Sequence, residues 1–140
     1  MNCEFVYDKS TIEKSISAST KEEFVTQFRS LLECAKEPRG IAYIWKTQSS
    51  IPRLKGESPI IYIGKTVRSF YSRYRPEVVN EANNFWDRYS YIICNYGNIS
   101  IELYSTTEPN KTESRLLYQY HREFMELPPL NLRSYNLSML

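Results

Sequence analysis

The sequence has little of what disulfide-rich, zinc-binding, membrane-spanning or nucleotide-cofactor proteins require. Its three cysteines, Cys3, Cys34 and Cys94, are far apart and match no CxxC pair, which argues against a disulfide framework and against a cysteine-based zinc site. There is no glycine-rich loop to cradle phosphates and no serine or cysteine triad, so enzymes that use nucleotide cofactors are disfavoured. No apolar run approaches the roughly 18 residues needed to cross a bilayer, and the N-terminus lacks the layout of a signal peptide. We therefore expect a cytoplasmic protein with reduced cysteines and no membrane partner.

The chain is nearly neutral overall, but its positive charge is concentrated in the middle. The 140 residues carry a formal net charge of +2. Residues 40–75 have seven basic side chains and one acidic side chain, whereas residues 1–39 sum to −1 and residues 76–140 to −3. A polyanion would bind at such a basic island, and the alternative is a solvated surface that happens to be basic.

A capped amphipathic helix is predicted near the N-terminus, within residues 17–40. Ser19 or Thr20 can cap it, with Glu22 or Glu23 placed to complete a capping box. The apolar positions at helical spacing, which we expect to face the core, are Phe24, Phe28, Leu31 and Leu32.

Two strands and a helix are predicted in the basic region. Residues 40–47 and 59–66 are rich in β-branched and aromatic residues, which predicts two antiparallel strands joined by a long loop. A helix is expected to begin just after Thr66 and to end or kink at Pro76. The residues that we expect on its buried face are Val67, Phe70, Tyr71 and Tyr74.

The rest of the chain continues this alternation. Residues 77–89 predict a second helix or helical loop, and residues 89–97 and 99–107 predict one or two further strands. A terminal helix is expected over residues 110–127, followed by an extended tail. The predicted fold is α/β or α+β, with a small, mainly antiparallel central sheet of about three strands flanked by helices. We expect one compact domain, with a helical extension over residues 1–39 and the main domain over residues 40–140.

Five elements in order along the chain resemble the GIY-YIG nuclease superfamily. Tyr43 starts the first strand, the run Tyr62-Ile63-Gly64-Lys65-Thr66 lies on the second, Arg73 follows on a helix, Glu113 lies on a later helix, and Asn131 follows Pro-Pro-Leu. The resemblance covers roughly residues 40–131. The first motif reads Gly-Ile-Ala-Tyr, so its tyrosine is one position later than in the family name. Glu77 stands where members often have a histidine or tyrosine.

This resemblance implies metal-dependent hydrolysis of phosphodiester bonds. It assigns Tyr43 to the attacking water as general base or orienter, Arg73 to the scissile phosphate, and Glu113 to a single divalent ion, Mg²⁺ or alternatively Mn²⁺. Tyr62 would line the same pocket. From its charge, Lys65 is expected to lower the pKa of a tyrosine. The residues expected to support the site or bind nucleic acid are Gly64, Lys65, Arg68, Arg75 and Asn131.

Each of these residues also has a structural interpretation. Tyr43 and Tyr62 are typical of strand aromatics packed across a hairpin, and Gly64 of a strand-to-helix turn. Arg73 is typical of an arginine that lies along an apolar surface, and Asn131 of a turn.

Glu113 fits a capping box that begins at Asn110. It also shares a helical face with Leu117 and Tyr120, which indicates a position towards the core. The lone histidine, His121, falls on the same predicted helix, where we expect a structural role.

Two functions that involve a nucleic acid or another partner are consistent with these observations, and a third possibility is a small regulatory α/β protein with no polyanion partner, which would show no salt-sensitive DNA binding. The first is an endonuclease acting on DNA, with RNA not excluded, in which Arg53 and Lys55 of the loop at residues 48–58 contact the nucleic-acid backbone. A homodimer, or two successive nicks, would then cut both strands. The alternative is a catalytically inactive module with the same fold that binds nucleic acid or another partner.

Overall fold

Four strands form one antiparallel sheet, and helices cover both of its faces. In this computed structural model, which describes residues 8–140, the elements in chain order are β1 (Asp8–Thr11), α1 (Lys21–Glu33), β2 (Arg39–Pro52), β3 (Glu57–Ser69), α2 (Phe70–Tyr74), α3 (Val78–Tyr96), β4 (Ser100–Ser105) and α4 (Pro109–Phe124). The strand order is β1-β4-β2-β3, so β3 is an edge strand. The predicted α+β class with an antiparallel sheet is confirmed, but the sheet has four strands instead of about three.

The additional strand is β1, which the sequence pattern does not predict. All four of its residues are exposed, and they show no alternation of apolar and polar side chains. β1 is held by pairing with β4, in which Lys9 lies opposite Tyr104. Backbone pairing at a sheet edge does not require apolar side chains, so such a strand leaves no hydrophobic signal.

Helix α1 agrees with its prediction. The hydroxyl of Thr20 accepts a hydrogen bond from the Glu23 amide at 3.1 Å and caps the helix. All four predicted core residues of α1 are fully buried. Phe28 packs edge-on against Trp45 of β2, with ring centroids 5.6 Å apart, so α1 covers the face of the sheet to which Trp45 points.

The hairpin of β2 and β3 is longer than predicted. Most of the expected loop at residues 48–58 belongs to the two strands, and the chain reverses at a tight turn in which the Arg53 amide donates to the Gly56 carbonyl at 2.9 Å. The side chain of Arg53 is 10% exposed; it pairs with Glu126 at 3.0 Å and donates to the Leu127 carbonyl. The prediction that Arg53 contacts nucleic acid is therefore wrong, because its guanidinium holds this turn against the end of α4.

The helix expected after Thr66 starts later and is shorter. β3 continues through Ser69, whose hydroxyl caps α2 by accepting from the Ser72 amide at 3.1 Å. Val67 consequently lies on the strand and is 73% exposed, so its predicted place in the core is wrong. Pro76 lies in a 3-10 turn, Arg75–Glu77, which separates α2 from α3.

Helix α3 includes the segment predicted as a strand at residues 89–97. The tyrosines and isoleucines there favour a strand, but Tyr89 and Ile92 are buried and continue the spacing that Val78 and Ala82 begin. Packing of this apolar stripe overrides local propensity. The helix ends at Gly97, whose φ of 92° is readily adopted only by glycine.

Helix α4 lies on the opposite face of the sheet. Leu117 and Tyr120 pack against Ile44 of β2 and Ile63 of β3. Successive strand residues point to opposite faces, so Tyr43 and Trp45 face α1 and α3. None of the helices in residues 8–140 is long and apolar enough to cross a membrane. Cys34 and Cys94 are free thiols, and Cys3 lies outside the described residues.

Candidate active site

One cavity brings together the four residues predicted to be catalytic. It has a volume of about 600 Å³ and lies beside the edge strand β3, between α2, α3, α4 and the segment that follows α4. Tyr43, Tyr62, Arg73 and Glu113 all line it. Lys65 and Asn131 line it as well, whereas Arg68 and Arg75 are exposed and outside its lining.

Tyr43 occupies its place because its partner on β3 is a glycine. Tyr43 lies directly opposite Gly64, and a Cβ added to Gly64 would be 2.5 Å from Cζ of the tyrosine ring. Gly64 therefore lies within the strand, and the interpretation as a strand-to-helix turn is wrong. The missing side chain leaves room for the phenol, which is 1% exposed and lies beside the ring of Tyr62 at a centroid distance of 6.2 Å.

The phenols of the cavity are held in their neutral form. The hydroxyls of Tyr43 and Tyr74 form a hydrogen bond of 3.1 Å, and burial raises the pKa of both groups. Burial and the charge of Glu113 also raise the pKa of Tyr62. The prediction that Lys65 lowers the pKa of a tyrosine is therefore wrong. Lys65 lies opposite Ala42 and points away from the Tyr43 face, towards α4.

Arg73 forms no ion pair in the described chain, although the charge of Glu81 acts on it. Its guanidinium lies over the ring of Tyr74, with Cζ 4.6 Å from the ring centroid. No carboxylate in residues 8–140 lies within 4 Å of it. A half-buried arginine of this kind can receive a phosphate without first breaking an ion pair.

Glu113 reaches the cavity from α4 and does not cap the helix. α4 begins at Pro109 with Glu108 as its N-cap residue, so the predicted capping box from Asn110 is not formed. The carboxylate is half-buried, and burial raises its pKa while the charge of Lys65 lowers it. No basic group in the described part of the chain lies within ion-pair distance of it. The carboxylate is thus available for a ligand.

Asn131 binds the edge of the sheet. Its side-chain oxygen accepts from the Ile63 amide at 2.9 Å, and its Nδ2 donates to the Ile63 carbonyl at 2.9 Å. The Leu130 amide also donates to the Ile61 carbonyl. The segment after α4 is thereby fixed along β3, next to Ile63, which lies between Tyr62 and Gly64. The backbone amide of Asn131 donates to the Pro128 carbonyl at 3.1 Å, so Asn131 also closes a turn.

We expect Asn131→Asp to lower the free energy of unfolding by about 1 to 3 kcal/mol, because an aspartate cannot donate to the Ile63 carbonyl and directs a charge at it. Urea denaturation measures the effect. Asn84→Asp, at an exposed position of α3, makes the same charge change and is the control. Equal urea midpoints for the two variants would mean that the hydrogen bonds from Asn131 to Ile63 do not stabilise the fold.

Sequence reasoning missed three charged residues of the cavity, Glu81, Arg88 and Arg133. Glu81, Phe85 and Arg88 lie on one face of α3. Their spacing of four and then three residues is typical of one helical face and could have indicated that they lie together. These residues lie within residues 77–89, which the sequence predicts as a helix or helical loop, but no individual residue of that segment was assigned to the site. Arg133 lies in the irregular tail, where no periodicity marks it. His121 lies outside the cavity and bonds the Tyr135 hydroxyl through Nδ1 at 2.9 Å, consistent with a structural role.

The donors of the cavity suit one type of metal ion better than others. Within residues 8–140 no three His, Cys, Asp or Glu side chains are grouped to hold an ion, which disfavours an all-protein zinc or calcium site. Mg²⁺ keeps several waters and is commonly bound by one or two carboxylates together with substrate phosphates. Glu113, which has no ion-pair partner in the described chain and lines the same cavity as Arg73, would suit an ion held in this way.

Comparisons with protein-family models, curated proteins and solved structures gave no match to this chain.

Proposed function

We propose that this protein is a metal-dependent endonuclease of the GIY-YIG type that hydrolyses phosphodiester bonds in DNA. The observation that carries the proposal is the convergence of Tyr43, Tyr62, Arg73 and Glu113 on one cavity, although they are spread over 71 positions of the chain. Chance would not be expected to place two phenols, an unpaired guanidinium and an unpaired carboxylate together beside a single edge strand.

Arg73 binds the scissile phosphate. Its planar guanidinium can donate two parallel hydrogen bonds to phosphate oxygens, and in a half-buried site this charge stabilises the dianionic transition state. The exposed Arg68 and Arg75 lie near it in sequence, on the end of β3 and on the following turn. Neither has an acidic partner within ion-pair distance in residues 8–140, so both suit contacts with neighbouring phosphates.

Glu113 would hold the divalent ion, Mg²⁺ or Mn²⁺, with water and a substrate phosphate as the further ligands. When bound, the ion supplies Lewis-acid stabilisation of the leaving oxygen. Burial raises the pKa of the Glu113 carboxyl, and the charge of Lys65 opposes part of this rise. Gly64 and Asn131 are positioning residues, since one makes room for Tyr43 and the other braces the backbone at Ile63.

The two phenols have different tasks. Tyr43 is almost fully buried and its hydroxyl bonds Tyr74, so it aligns the wall of the cavity. Tyr62 is half-buried and can reach a bound phosphate or water, to which its neutral hydroxyl donates a hydrogen bond. Because the pKa of each phenol is raised, both remain protonated at neutral pH.

The test is cleavage of supercoiled plasmid and of a labelled oligonucleotide with Mg²⁺, with Mn²⁺ and with EDTA. We expect metal-dependent cutting that falls about 100-fold or more in Arg73→Ala, the usual effect of removing one transition-state donor. Nicked circles would indicate one cut per encounter, and linear product would indicate paired cuts. Arg122→Ala is the control, because Arg122 is exposed, bonds Tyr118 and lies outside the cavity.

The inactive binding module is the other outcome. It predicts DNA binding that weakens steeply with salt and no cutting with any divalent ion. Cutting of equal rate by Arg73→Ala and by the wild type would contradict the proposed role of the cavity. Absence of both binding and cutting would contradict both functions.

A further inference from the structure

Glu81 is a second carboxylate of the cavity, and the proposed mechanism so far does not use it. It projects from the first turn of α3, is half-buried, and lines the same space as Arg73 and Tyr62. Glu81 and Glu113 are the only carboxylates in this lining among residues 8–140, and they come from opposite faces of the sheet. No basic group of the described chain lies within ion-pair distance of Glu81.

Few groups of the cavity can accept a proton from water at neutral pH. The phenols remain protonated, and the hydroxyl of Tyr43 is already bonded to that of Tyr74. The arginines and Lys65 are cations. The lining contains no histidine, since His121 bonds Tyr135 elsewhere. Once Glu113 holds the ion, Glu81 is the remaining carboxylate.

We propose that Glu81 is the general base of this site, which takes a proton from the attacking water; this inference rests on the proposed endonuclease function. One O–H bond of the water breaks as its proton moves to a carboxylate oxygen of Glu81. The water oxygen forms a new P–O bond, and the P–O bond to the sugar oxygen breaks. That oxygen leaves with the electron pair and takes a proton from solvent, and Glu81 later returns its proton to solvent.

The surroundings of Glu81 suit this task. Burial raises its pKa, the charge of Arg73 on α2 lowers it, and the charge of Glu77 on the 3-10 turn raises it, with a net rise. A carboxylate with a raised pKa is a stronger base than an ordinary carboxylate. The other titratable or charged groups near it are Tyr62 on β3 and Tyr89 and Arg88 on α3. Glu81 and Arg73 line the same cavity and their charges act on each other, so a water held by Glu81 would lie close to a phosphate held by Arg73.

The first test is Glu81→Gln in the Mg²⁺ cleavage assay over a range of pH. In the wild type, the rate should fall as pH drops through the pKa of Glu81, because the protonated acid cannot accept a proton. In Glu81→Gln we expect kcat to fall about 100-fold, with KM for DNA nearly unchanged. The fall in rate at low pH, which is the acidic limb of the pH–rate profile, should be lost. Asp87→Asn, at an exposed position of the same helix, should behave as the wild type.

Folding of this variant is checked by thermal unfolding at pH 8. A carboxyl whose pKa is raised in the folded state stabilises that state only while protonated, and this contribution is lost as pH rises through the folded pKa. The ionised carboxylate is therefore unfavourable at pH 8, and a neutral glutamine should leave the melting temperature unchanged or raise it.

A second variant tests the base without altering the cavity. Glu77 raises the pKa of Glu81 but does not line the cavity. Glu77→Gln keeps the acceptor for Asn80, whose Nδ2 lies 3.3 Å from Oε1. We expect the acidic limb to move to lower pH and the plateau rate to remain that of the wild type. An unmoved limb would overturn the assignment.

Three other results would also overturn it. If the wild type cuts DNA and Glu81→Gln retains both its rate and its acidic limb, the base lies elsewhere and the endonuclease function stands. If Glu81→Gln needs tenfold more Mg²⁺ for half its maximal rate, Glu81 is a metal ligand. If the wild type does not cut DNA, the proposed function fails and this inference fails with it.

Discussion

Glu113→Gln is expected to reduce metal-dependent cleavage at least about 1,000-fold while leaving the protein folded. In the proposed mechanism, the ion that Glu113 would hold contributes several kcal/mol of transition-state stabilisation, and about 1.4 kcal/mol corresponds to a factor of ten in rate. Glutamine has nearly the same shape but no negative charge, so it binds a divalent ion poorly. Cleavage at several Mg²⁺ concentrations measures the loss, and a high concentration of Mn²⁺ should restore part of the rate.

The fold should tolerate this substitution well. The carboxylate of Glu113 is half-buried and has no ion-pair partner in the described chain, so glutamine breaks no pair. A site residue that is unfavourable for stability is typical of an active site. We therefore expect thermal unfolding of Glu113→Gln at or above the temperature of the wild type.

Glu123→Gln is the matched control for this prediction, since Glu123 is exposed on the same helix and outside the cavity. It makes the same chemical change and should cut DNA at the wild-type rate. Wild-type cleavage by Glu113→Gln with an unchanged Mg²⁺ requirement would contradict the assignment of the metal site.

The parts of the fold that follow from local pattern could be predicted from the sequence. Phe24 and Phe28 repeat at helical spacing on a capped helix, and they are buried as that spacing indicates. β4 lies within its predicted segment, and α4 begins one residue before its predicted segment and ends within it. Each of these elements buries one apolar face, so the spacing of its apolar residues along the sequence predicts its secondary structure.

The sequence-based predictions are wrong where tertiary contacts determine the secondary structure or the environment of a side chain. Tyr89 and Ile92 have the propensity of a strand, but they are helical because their side chains pack against the core that α1 and β2 also form. Arg53 looked like a surface cation of a loop, yet it holds the hairpin turn against α4 through Glu126 and the Leu127 carbonyl. No local signal contains such contacts between residues more than 70 positions apart.

The candidate site divides in the same way. The order of Tyr43, Tyr62, Arg73 and Glu113 allowed their grouping to be predicted, and the structure brings them around one cavity. Their electrostatics could not be predicted, because the pKa of a phenol depends on burial, and burial raises it where Lys65 was expected to lower it. Because the same burial keeps the phenols protonated, the proposed general base is Glu81 and not a tyrosine.

Gly64→Ala is expected to destabilise the protein by about 3 kcal/mol, at the upper end of what overpacking a core with one methyl group usually costs. The added Cβ would lie 2.5 Å from Cζ and 2.6 Å from the hydroxyl oxygen of Tyr43. The methyl group is fixed to the backbone of β3, so the ring must move. That ring cannot move easily, because it is 1% exposed and packs edge-on against Phe70 at 5.0 Å. Urea denaturation measures the loss of stability.

A double-mutant cycle with Tyr43→Leu identifies the cause of this loss. Alanine is otherwise better than glycine within a strand, so Gly64→Ala should be nearly neutral or stabilising once the ring is absent. The coupling energy between the two positions then approaches the full effect of the single substitution. The same steric argument predicts lower DNA cleavage by Gly64→Ala, since displacing Tyr43 moves the wall that supports Tyr62. A Gly64→Ala protein as stable as the wild type in the presence of Tyr43 would mean that the phenol does not lie over this glycine, and the assignment of Tyr43 to the cavity would be wrong.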